Sequence, residues 1–333
     1  MKLSILDQSP ISEEHTANDA LSSTIELAEK ADQLGFTRYW VAEHHDMSGL
    51  ASPAPDIMLA MIGSRTKEIR LGAGAVLLPH YKAYNVAERY NLLATLFPNR
   101  VDVGIGRAPG GSAEASMALS GDFLANVRDM PDKLDELLHF LHNDFPEGHL
   151  YHNVKPSPVP KNLPVPWLLG TSEKSAVLAA EKRMHYAFGH FMSDQDGPTI
   201  VKRYRDSLST THPNTSPKVI VAVSAICAET TEEAEELALS GQLWKIQQAK
   251  GEGKNGIPSI EEAKSYAYTE EEVEDAEKQK EKMIIGNPKE VKEQLINLQK
   301  VYNTEELMIV TITHSYKARK KSYQLIADEF NLQ

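Results

Sequence analysis

The stretch IRLGAGAVLL, residues 69–78, is an almost unbroken apolar run followed by a proline and a histidine. A run without alternation of polar and apolar residues is typical of a parallel strand that is buried on both faces. Seven more runs of this kind lie along the chain, at residues 3–6, 39–42, 101–105, 166–170, 186–188, 219–227 and 307–312. The pattern therefore predicts eight strands in a parallel sheet.

The segments between these runs have the spacing of amphipathic helices. After Asn287, apolar residues recur on one helical face at Val291, Leu295, Leu298 and Tyr302. Asn287 can cap this helix, and Glu290 lies three residues on, as in a capping box. Strands that alternate with helices over 333 residues predict an α/β fold, which we interpret as a (β/α)₈ TIM barrel. A doubly wound open sheet is the competing architecture, because periodicity does not show whether a sheet closes.

The stretch from about Gly241 to Met283 interrupts this alternation. It contains three closely spaced glycines and the acidic run 269–274, and it is too polar for a strand. It follows the seventh predicted strand. It is either a solvated insertion or a mobile lid over the barrel mouth. The lid is considered because long loops after barrel strands often serve as lids. We treat residues 1–333 as one domain that carries this insertion.

Charge and composition argue against several kinds of partner. The net charge of −12 disfavours nucleic acid and anionic membranes, because both need a basic protein face. The amino-terminal MKLSILDQSP is too short and polar for a signal peptide, and no apolar run reaches the ~20 residues that span a bilayer. The single cysteine, Cys227, has apolar neighbours, which indicates a buried side chain and fits a reducing, cytoplasmic location.

Candidate catalytic residues follow the second predicted strand, since the active sites of TIM barrels lie at the carboxyl ends of the strands. Residues 43–46 are EHHD, and a histidine here suits proton transfer because imidazole titrates near neutral pH. A hydrogen-bonded structural histidine is the competing interpretation. Adjacent strand residues point to opposite faces, so we expect at most one of His44 and His45 to face the pocket. The two histidines could then hardly bind one metal ion together. The other histidines lack the sequence spacing of metal ligands, so we expect no metal site.

Two further strand ends carry features of an anion site. The fourth strand continues into GIGRAPGG, residues 104–111, which places Arg107 on a glycine-rich loop but departs from the spacing of a dinucleotide fingerprint. The fifth continues into GTSEKS, residues 170–175, where three hydroxyls and free backbone amides at a helix start can bind an anion. A surface arginine and an ordinary helix cap explain each feature alone. Because the two strands are neighbours in a barrel, together they predict one phosphate site.

The third predicted strand contains Gly72 and Gly74. Glycine weakens a strand and often marks the close approach of another group. A flat ring lying against this strand and tight packing of a neighbouring element explain the glycines equally well, and both interpretations stay open.

Six segments of the chain resemble the bacterial-luciferase-like flavin-dependent monooxygenases, including their small unassigned bacterial members. They are LGFTRYWVAEHH (34–45), IRLGAGAVLLPHY (69–81), NRVDVGIGRAPGG (99–111), WLLGTSEKSA (167–176), IIGNPKEVKEQL (284–295) and ELMIVT (306–311). These ordered motifs are specific for the superfamily but not for a substrate. The resemblance implies a TIM-barrel enzyme that uses O₂ and reduced FMN, supplied by a separate flavin reductase, to oxidise a small organic substrate of the aldehyde or ketone class.

The resemblance also implies roles for particular residues. His44 matches the family's catalytic histidine, and the Gly74–Ala75 bond matches a non-proline cis peptide held against the flavin ring. The family's contacts to the flavin phosphate fall on Arg107, Thr171, Ser172 and Ser175. The position of Thr171 is acidic in the luciferases, so this chain departs from the family there. Members commonly form homodimers, which implies an interface through residues 57–62 and 84–97 here.

Three alternatives remain. One is an oxidoreductase on the same fold that uses the deazaflavin F420 to move hydride without oxygen. Another is a flavin-binding protein without catalysis, against which the presence of His44 argues. A TIM-barrel metal hydrolase is the weakest hypothesis, because the histidines and acidic residues lack ligand spacing.

Overall fold

All eight apolar runs form strands of one sheet in the computed structural model, which describes residues 1–216, 218–253 and 255–332. Within these residues the strands are β1 (Lys2–Asp7), β2 (Arg38–Val41), β3 (Arg70–Ala73), β4 (Val76–Leu77), β5 (Val101–Gly106), β6 (Val165–Gly170), β7 (His185–Gly189), β8 (Val219–Cys227), β9 (Met283–Gly286) and β10 (Glu306–Val310). The run at residues 69–78 therefore contains both β3 and β4, and β9 is a short strand outside the eight runs.

The sheet closes into a barrel. β10 pairs with β1 on one side and with β8 on the other, and the strand pairings are parallel. β3 and β4 together form the third barrel strand, because both pair with β5. β9 pairs with the carboxyl-terminal half of β8, outside the closed ring. The prediction of a TIM barrel is confirmed, and the open doubly wound sheet is wrong.

Helices follow the strands along the chain. In the described residues they are α1 (Ala17–Gln33), α2 (Pro55–Arg65), α3 (Ala83–Leu96), α4 (Ala113–Ser120), α5 (Phe123–Arg128), α6 (Met130–His142), α7 (Glu173–Glu181), α8 (Gly197–Thr211), α9 (Thr231–Ala249), α10 (Ile260–Ser265), α11 (Glu270–Glu281), α12 (Pro288–Tyr302) and α13 (Tyr316–Phe330). The predicted capping box is present, because the Asn287 side chain accepts from the Glu290 amide and the Glu290 side chain accepts from the Asn287 amide.

Apolar side chains form two layers in the barrel. One layer lies between the strands and the helices and includes Tyr90, Phe140 and Tyr204. The other is drawn from inward-facing strand residues, among which Trp40 and Trp167 meet edge to face with ring centres 5.6 Å apart. The interior is therefore packed with side chains, which leaves the strand ends for a binding site.

Buried charges close the amino-terminal end of the barrel. The Arg38 guanidinium, at the start of β2, donates to Asp102 of β5 and to Glu306 of β10, each at 2.7 Å. The Ser4 hydroxyl of β1 also donates to Glu306, at 2.6 Å. These charges are paired and hydrogen-bonded, which offsets the cost of removing them from water. We therefore interpret this end as structural.

Residues 241–283 contain the second half of α9, the helices α10 and α11, and the first residue of β9. α9 continues without a break past Gly241, and Leu243, Trp244 and Ile246 are buried there. None of the helices in the described parts of the chain is both long enough and apolar enough to cross a membrane. Opening of this stretch as a lid stays a prediction.

Candidate active site

A cavity of about 320 Å³ lies at the carboxyl ends of the barrel strands. Residues beyond the ends of β1, β2 and β10 contribute to its wall, namely Gln8, His44 and Ile312. α9 and α11 line it from the side of the insertion. The cavity thus lies between the barrel mouth and the insertion, at the end of the fold where TIM barrels bind their substrates.

A wider, open depression of about 730 Å³ lies at the other end of the barrel. Pro166 and His185, near the starts of β6 and β7, line it together with residues of α6 and α7. Because active sites of this fold lie at the carboxyl ends of the strands, we assign the candidate site to the smaller cavity.

The imidazole of His44 lines the smaller cavity. Its backbone amide donates to the Ser52 carbonyl at 3.0 Å, which fixes the residue just beyond β2. Its Nδ1 is buried and has no hydrogen-bond partner in the described residues. Burial, and to a smaller extent the neighbouring His45, lower the pKa of His44 from 6.5 to about 4. The imidazole is therefore neutral at pH 7 and is able to accept a proton.

His45 does not line the cavity. Its Nε2 lies 2.9 Å from Oε1 of Glu43, and its ring meets His80 edge to face with ring centres 5.6 Å apart. The buried Glu43 carboxylate also accepts from the Tyr81 hydroxyl at 2.8 Å and from the Leu77 amide at 3.2 Å. One histidine of the pair thus faces the pocket, as predicted, while the other ties its loop to the third barrel strand. Among the described side chains, no group of three or more His, Cys, Asp or Glu is arranged to hold a metal ion.

The Gly74–Ala75 peptide bond is cis and lies between β3 and β4. A Cβ atom on Gly74 would lie 2.6 Å from Leu6 and 3.3 Å from Trp40, and one on Gly72 would collide with the Trp40 indole. Packing against barrel side chains therefore accounts for both glycines. The flavin contact implied for Gly74 and Ala75 stays a prediction.

Arg107 and the turn at residues 171–172 follow adjacent barrel strands at the same level. β5 and β6 pair in parallel with Ile105 opposite Leu168, so Arg107 and Gly170 lie equally far beyond that pair. Arg107 is exposed, and no ion pair to it occurs within the described parts of the chain. A guanidinium and the first-turn amides of a helix can together bind a phosphate group. The predicted neighbourhood of the two motifs is therefore present.

The hydroxyls of this turn differ in their availability. Ser172 is the N-cap of α7, and Ser175 completes a capping box with it. The Ser175 hydroxyl donates to the Ser172 carbonyl at 2.6 Å and lies 2.9 Å from the Tyr186 hydroxyl, so it is already bonded within the chain. The partly exposed Thr171 and Ser172 are better placed to reach a phosphate. Arg107 and these hydroxyl residues do not line the cavity of His44, so the predicted site has two separate parts.

His44 is the one predicted site residue among the described residues that line the cavity. The residues that sequence reasoning missed include Trp244 and Lys245 of α9 and Gln279 of α11. Trp244 Nε1 and Gln279 Oε1 are buried without a hydrogen-bond partner in the described residues. Burial lowers the pKa of Lys245, and the nearby Lys282 lowers it further. The sequence signal for this group is a tryptophan within the polar stretch 241–283, because large aromatic side chains are usually well buried.

Comparison with known proteins identifies the family. The sequence model of the luciferase-like monooxygenase family matches residues 1–305. The chain belongs to the luciferase-like monooxygenase family. The N-acetyl-S-alkylcysteine monooxygenase of Bacillus subtilis (strain 168) is 36% identical over 329 residues, which cover 98% of each chain. The resemblance inferred from the sequence motifs is confirmed, and the protein is an enzyme of monooxygenase type.

Solved structures agree with this assignment. The crystal structure of apo-MsnO8 superposes with a TM-score of 0.90 at 33% identity, covering 100% of this chain and 99% of that one. The oxygenating constituent of 3,6-diketocamphane monooxygenase from Pseudomonas putida, solved in complex with FMN, superposes with a TM-score of 0.72 at 19% identity, covering 99% and 97%. At that identity the second comparison shows the shared fold alone.

Proposed function

We propose that this enzyme uses reduced FMN and O₂ to transfer one oxygen atom to a small organic substrate. The observation that carries the proposal is the neutral imidazole of His44, which lines a cavity at the barrel mouth and whose Nδ1 has no hydrogen-bond partner in the described residues. Membership of a monooxygenase family supports oxygen transfer. The second oxygen atom of O₂ leaves as water. The reduced flavin supplies the two electrons for this step, and two protons complete the water molecule.

The residues after β5 and β6 fit the phosphate of a flavin. Arg107 is exposed and not engaged in an ion pair in the described residues, and the first-turn amides of α7 face the same end of the barrel. Thr171 brings a hydroxyl donor where the luciferases have an acidic residue, so no negative charge at this position opposes a phosphate. When bound, reduced FMN supplies the electrons that activate O₂. The proposal places Gly74 and Ala75 against its ring.

The cavity residues would act on the substrate. His44 is able to accept a proton within the cavity, because burial keeps its imidazole neutral. Met47, Leu50 and Ile312 give the wall an apolar character that excludes water. We propose that the chain is a single domain in which residues 241–283 move as a lid to admit the substrate.

The source of the electrons provides the first test. The chain has no convincing dinucleotide fingerprint, so we expect a separate flavin reductase in the same cytoplasmic compartment to supply reduced FMN. The test substrates are aldehydes, ketones and N-acetyl-S-alkylcysteines, the last because the B. subtilis relative is an N-acetyl-S-alkylcysteine monooxygenase. Purified protein should oxygenate members of this panel only when O₂ is present and a reductase with NADH, or a chemical reductant, supplies reduced FMN. Product formation is followed by mass spectrometry with ¹⁸O₂.

Other outcomes of this assay favour the alternatives. Rapid NADH oxidation by the protein with FMN and no reductase would contradict the need for a separate reductase. Turnover with reduced F420 in the absence of oxygen would replace oxygen transfer by hydride transfer. Flavin binding without any oxygenated product would support a non-catalytic flavin protein.

Arg107→Ala is expected to weaken FMN binding about tenfold to a hundredfold. A hydrogen bond to a charged group contributes about 1.5–3 kcal/mol, and the exposure of Arg107 favours the lower end of that range. Quenching of flavin fluorescence measures the affinity. Arg203→Ala, an exposed position of α8, is the matched control and should leave it unchanged. Unaltered affinity in Arg107→Ala would remove the phosphate assignment.

We propose a homodimer with a mainly apolar interface through residues 57–62 and 84–97. Neighbouring α2 and α3 carry four exposed apolar side chains: Ile57, Met61, Leu92 and Leu96. Ile57 is 65% exposed, although isoleucine is usually buried. Light scattering at micromolar concentration should give twice the chain mass of 37.0 kDa. Leu92→Glu should yield monomers and Leu124→Glu, on α5, should not, whereas a wild-type monomer would contradict the proposal.

A further inference from the structure

Lys245 lies in the cavity wall and has no carboxylate partner in the part of the chain that the structure describes. Five other lysines of the insertion each form an ion pair with an acidic side chain: Lys250, Lys264, Lys278, Lys280 and Lys282. For Lys245 no such partner occurs in residues 1–216, 218–253 and 255–332. It is also partly buried, so solvent compensates its charge only in part.

The cavity offers no negative charge of its own. The chain as a whole has 47 acidic and 35 basic residues, yet no aspartate or glutamate is among the described residues that line the cavity. The other polar residues in the wall are uncharged at neutral pH: Gln8, His44, Ser224, Gln248 and Gln279. Burial disfavours the charged form of the Lys245 amine, and the nearby Lys282 adds to this effect. An anionic ligand would therefore be attracted to Lys245.

Trp244 lies beside the lysine in the cavity wall. Trp244 precedes Lys245 on α9 and lines the same cavity, and its Nε1 is buried without an acceptor in the described residues. An indole N–H can only donate, and an ammonium group can only donate. The Trp244 Nε1 atom is buried beside Gly49, so it is the Lys245 ammonium that lines the cavity without an acidic partner in the described residues. An anionic oxygen group supplies both the acceptor atoms and the charge that this ammonium lacks.

We propose that this cavity binds a substrate that bears a carboxylate, held by the Lys245 ammonium. The carbon chain of that substrate would contact the apolar wall formed by Met47, Leu50 and Met192, with its reacting atom near His44. This inference rests on the proposed function, because it names the substrate class of the same site. A phosphate group has similar anionic chemistry, so the test must distinguish a substrate carboxylate from the phosphate of FMN.

Calorimetric titration tests the proposal with the full chain, with and without oxidised FMN. Straight-chain carboxylates from butanoate to decanoate are compared with the uncharged amides of equal length. At least one carboxylate should bind roughly ten- to a hundredfold more tightly than its amide, because the amide lacks the charge-assisted bond. Lys245→Met should abolish this preference without weakening amide or FMN binding, and Lys245→Arg should keep part of it. Lys250→Met, at the carboxyl-terminal cap of the same helix but paired with Glu272, should keep it fully.

Several results would overturn the proposal. They are equal binding of carboxylates and amides by the wild type, no carboxylate binding at millimolar concentration, or an unchanged preference in Lys245→Met. A loss of FMN affinity in Lys245→Met would assign the lysine to the cofactor phosphate instead. Lys245→Gln replaces the methionine variant if melting curves show that the latter does not fold. Because these titrations need no turnover, a failure to oxygenate substrates would overturn the proposed function but not the carboxylate preference.

Discussion

Replacing His44 by alanine is expected to lower turnover about 10²–10⁴-fold, the usual loss when a general acid–base group is removed. The imidazole lines the cavity, and burial holds its pKa at about 4, so it is a neutral proton acceptor at pH 7. FMN affinity should change little, since Arg107 and the amino terminus of α7 lie outside the cavity lining. Flavin titration and single-turnover rates with pre-reduced FMN measure the two effects separately.

His45→Ala is the matched control for this experiment. It removes the 2.9 Å contact to the buried Glu43 carboxylate, which should lower the melting temperature. Turnover should fall less than in His44→Ala, because His45 does not line the cavity. If His44→Ala kept full turnover while His45→Ala lost it, the catalytic role would belong to His45 and its assignment to His44 would be wrong. If neither variant lost turnover, residues 43–46 would be structural and oxygen transfer would lose its main chemical support.

The lowered pKa of His44 also gives a pH dependence with a definite sign. Between pH 6.5 and about 4, the unfolded chain binds a proton at this imidazole more readily than the folded chain does. The wild type should therefore lose stability as pH falls through this window, and His44→Ala should lose less. The acidic limb of kcat/KM that belongs to His44 should lie near pH 4 rather than 6.5. NMR titration of the imidazole checks the pKa directly.

The strands could be predicted from the sequence because burial on both faces leaves a local signal. Each apolar run is a property of neighbouring residues, and each coincides with a barrel strand. Closure is different, since it depends on β10 pairing with β8 and also with β1, at the opposite end of the chain. No local pattern encodes that pairing, so the barrel was favoured over an open sheet only by the strand number, the absence of a linker in the sequence and the family resemblance.

The site was predictable only where its residues follow strand ends. His44 and Arg107 lie directly after apolar runs, so their position in the fold could be inferred from the sequence. Trp244 and Lys245 reach the cavity because α9 packs over the barrel mouth, which is a tertiary contact. The stretch around them is polar enough to be interpreted as a solvated insertion. Gly72 and Gly74 of the third barrel strand were open to two interpretations from the sequence, a bound flat ring or tight packing of a neighbouring element. The structure shows that packing against Trp40 is sufficient to explain both glycines.

Arg319→Met is expected to lower the free energy of unfolding by about 3–5 kcal/mol, the usual cost of removing one partner of a buried ion pair. The side chains of Arg319 on α13 and Asp7 at the end of β1 are 1% and 0% exposed, and they are paired. Burial alone would raise the pKa of Asp7, but Arg319, the Tyr39 hydroxyl and the Ser9 amide bring it below its usual range. The variant would therefore leave a charged carboxylate buried without its cation. Guanidinium denaturation measures the loss.

Lys320→Met, one position further along α13, is the matched control for this prediction. Lys320 pairs with Glu26 at 2.5 Å, but the two side chains are 35% and 58% exposed, so the cost should be about 0–1 kcal/mol. Asp7→Asn combined with Arg319→Met should recover part of the loss, because no unpaired buried charge remains. Since the folded pKa of Asp7 is lowered, the contribution of the pair is present above the ordinary aspartate pKa of 3.8 and is lost as pH falls through the folded pKa. Equal costs for Arg319→Met and Lys320→Met at neutral pH would show that the buried pair contributes no more than a surface contact.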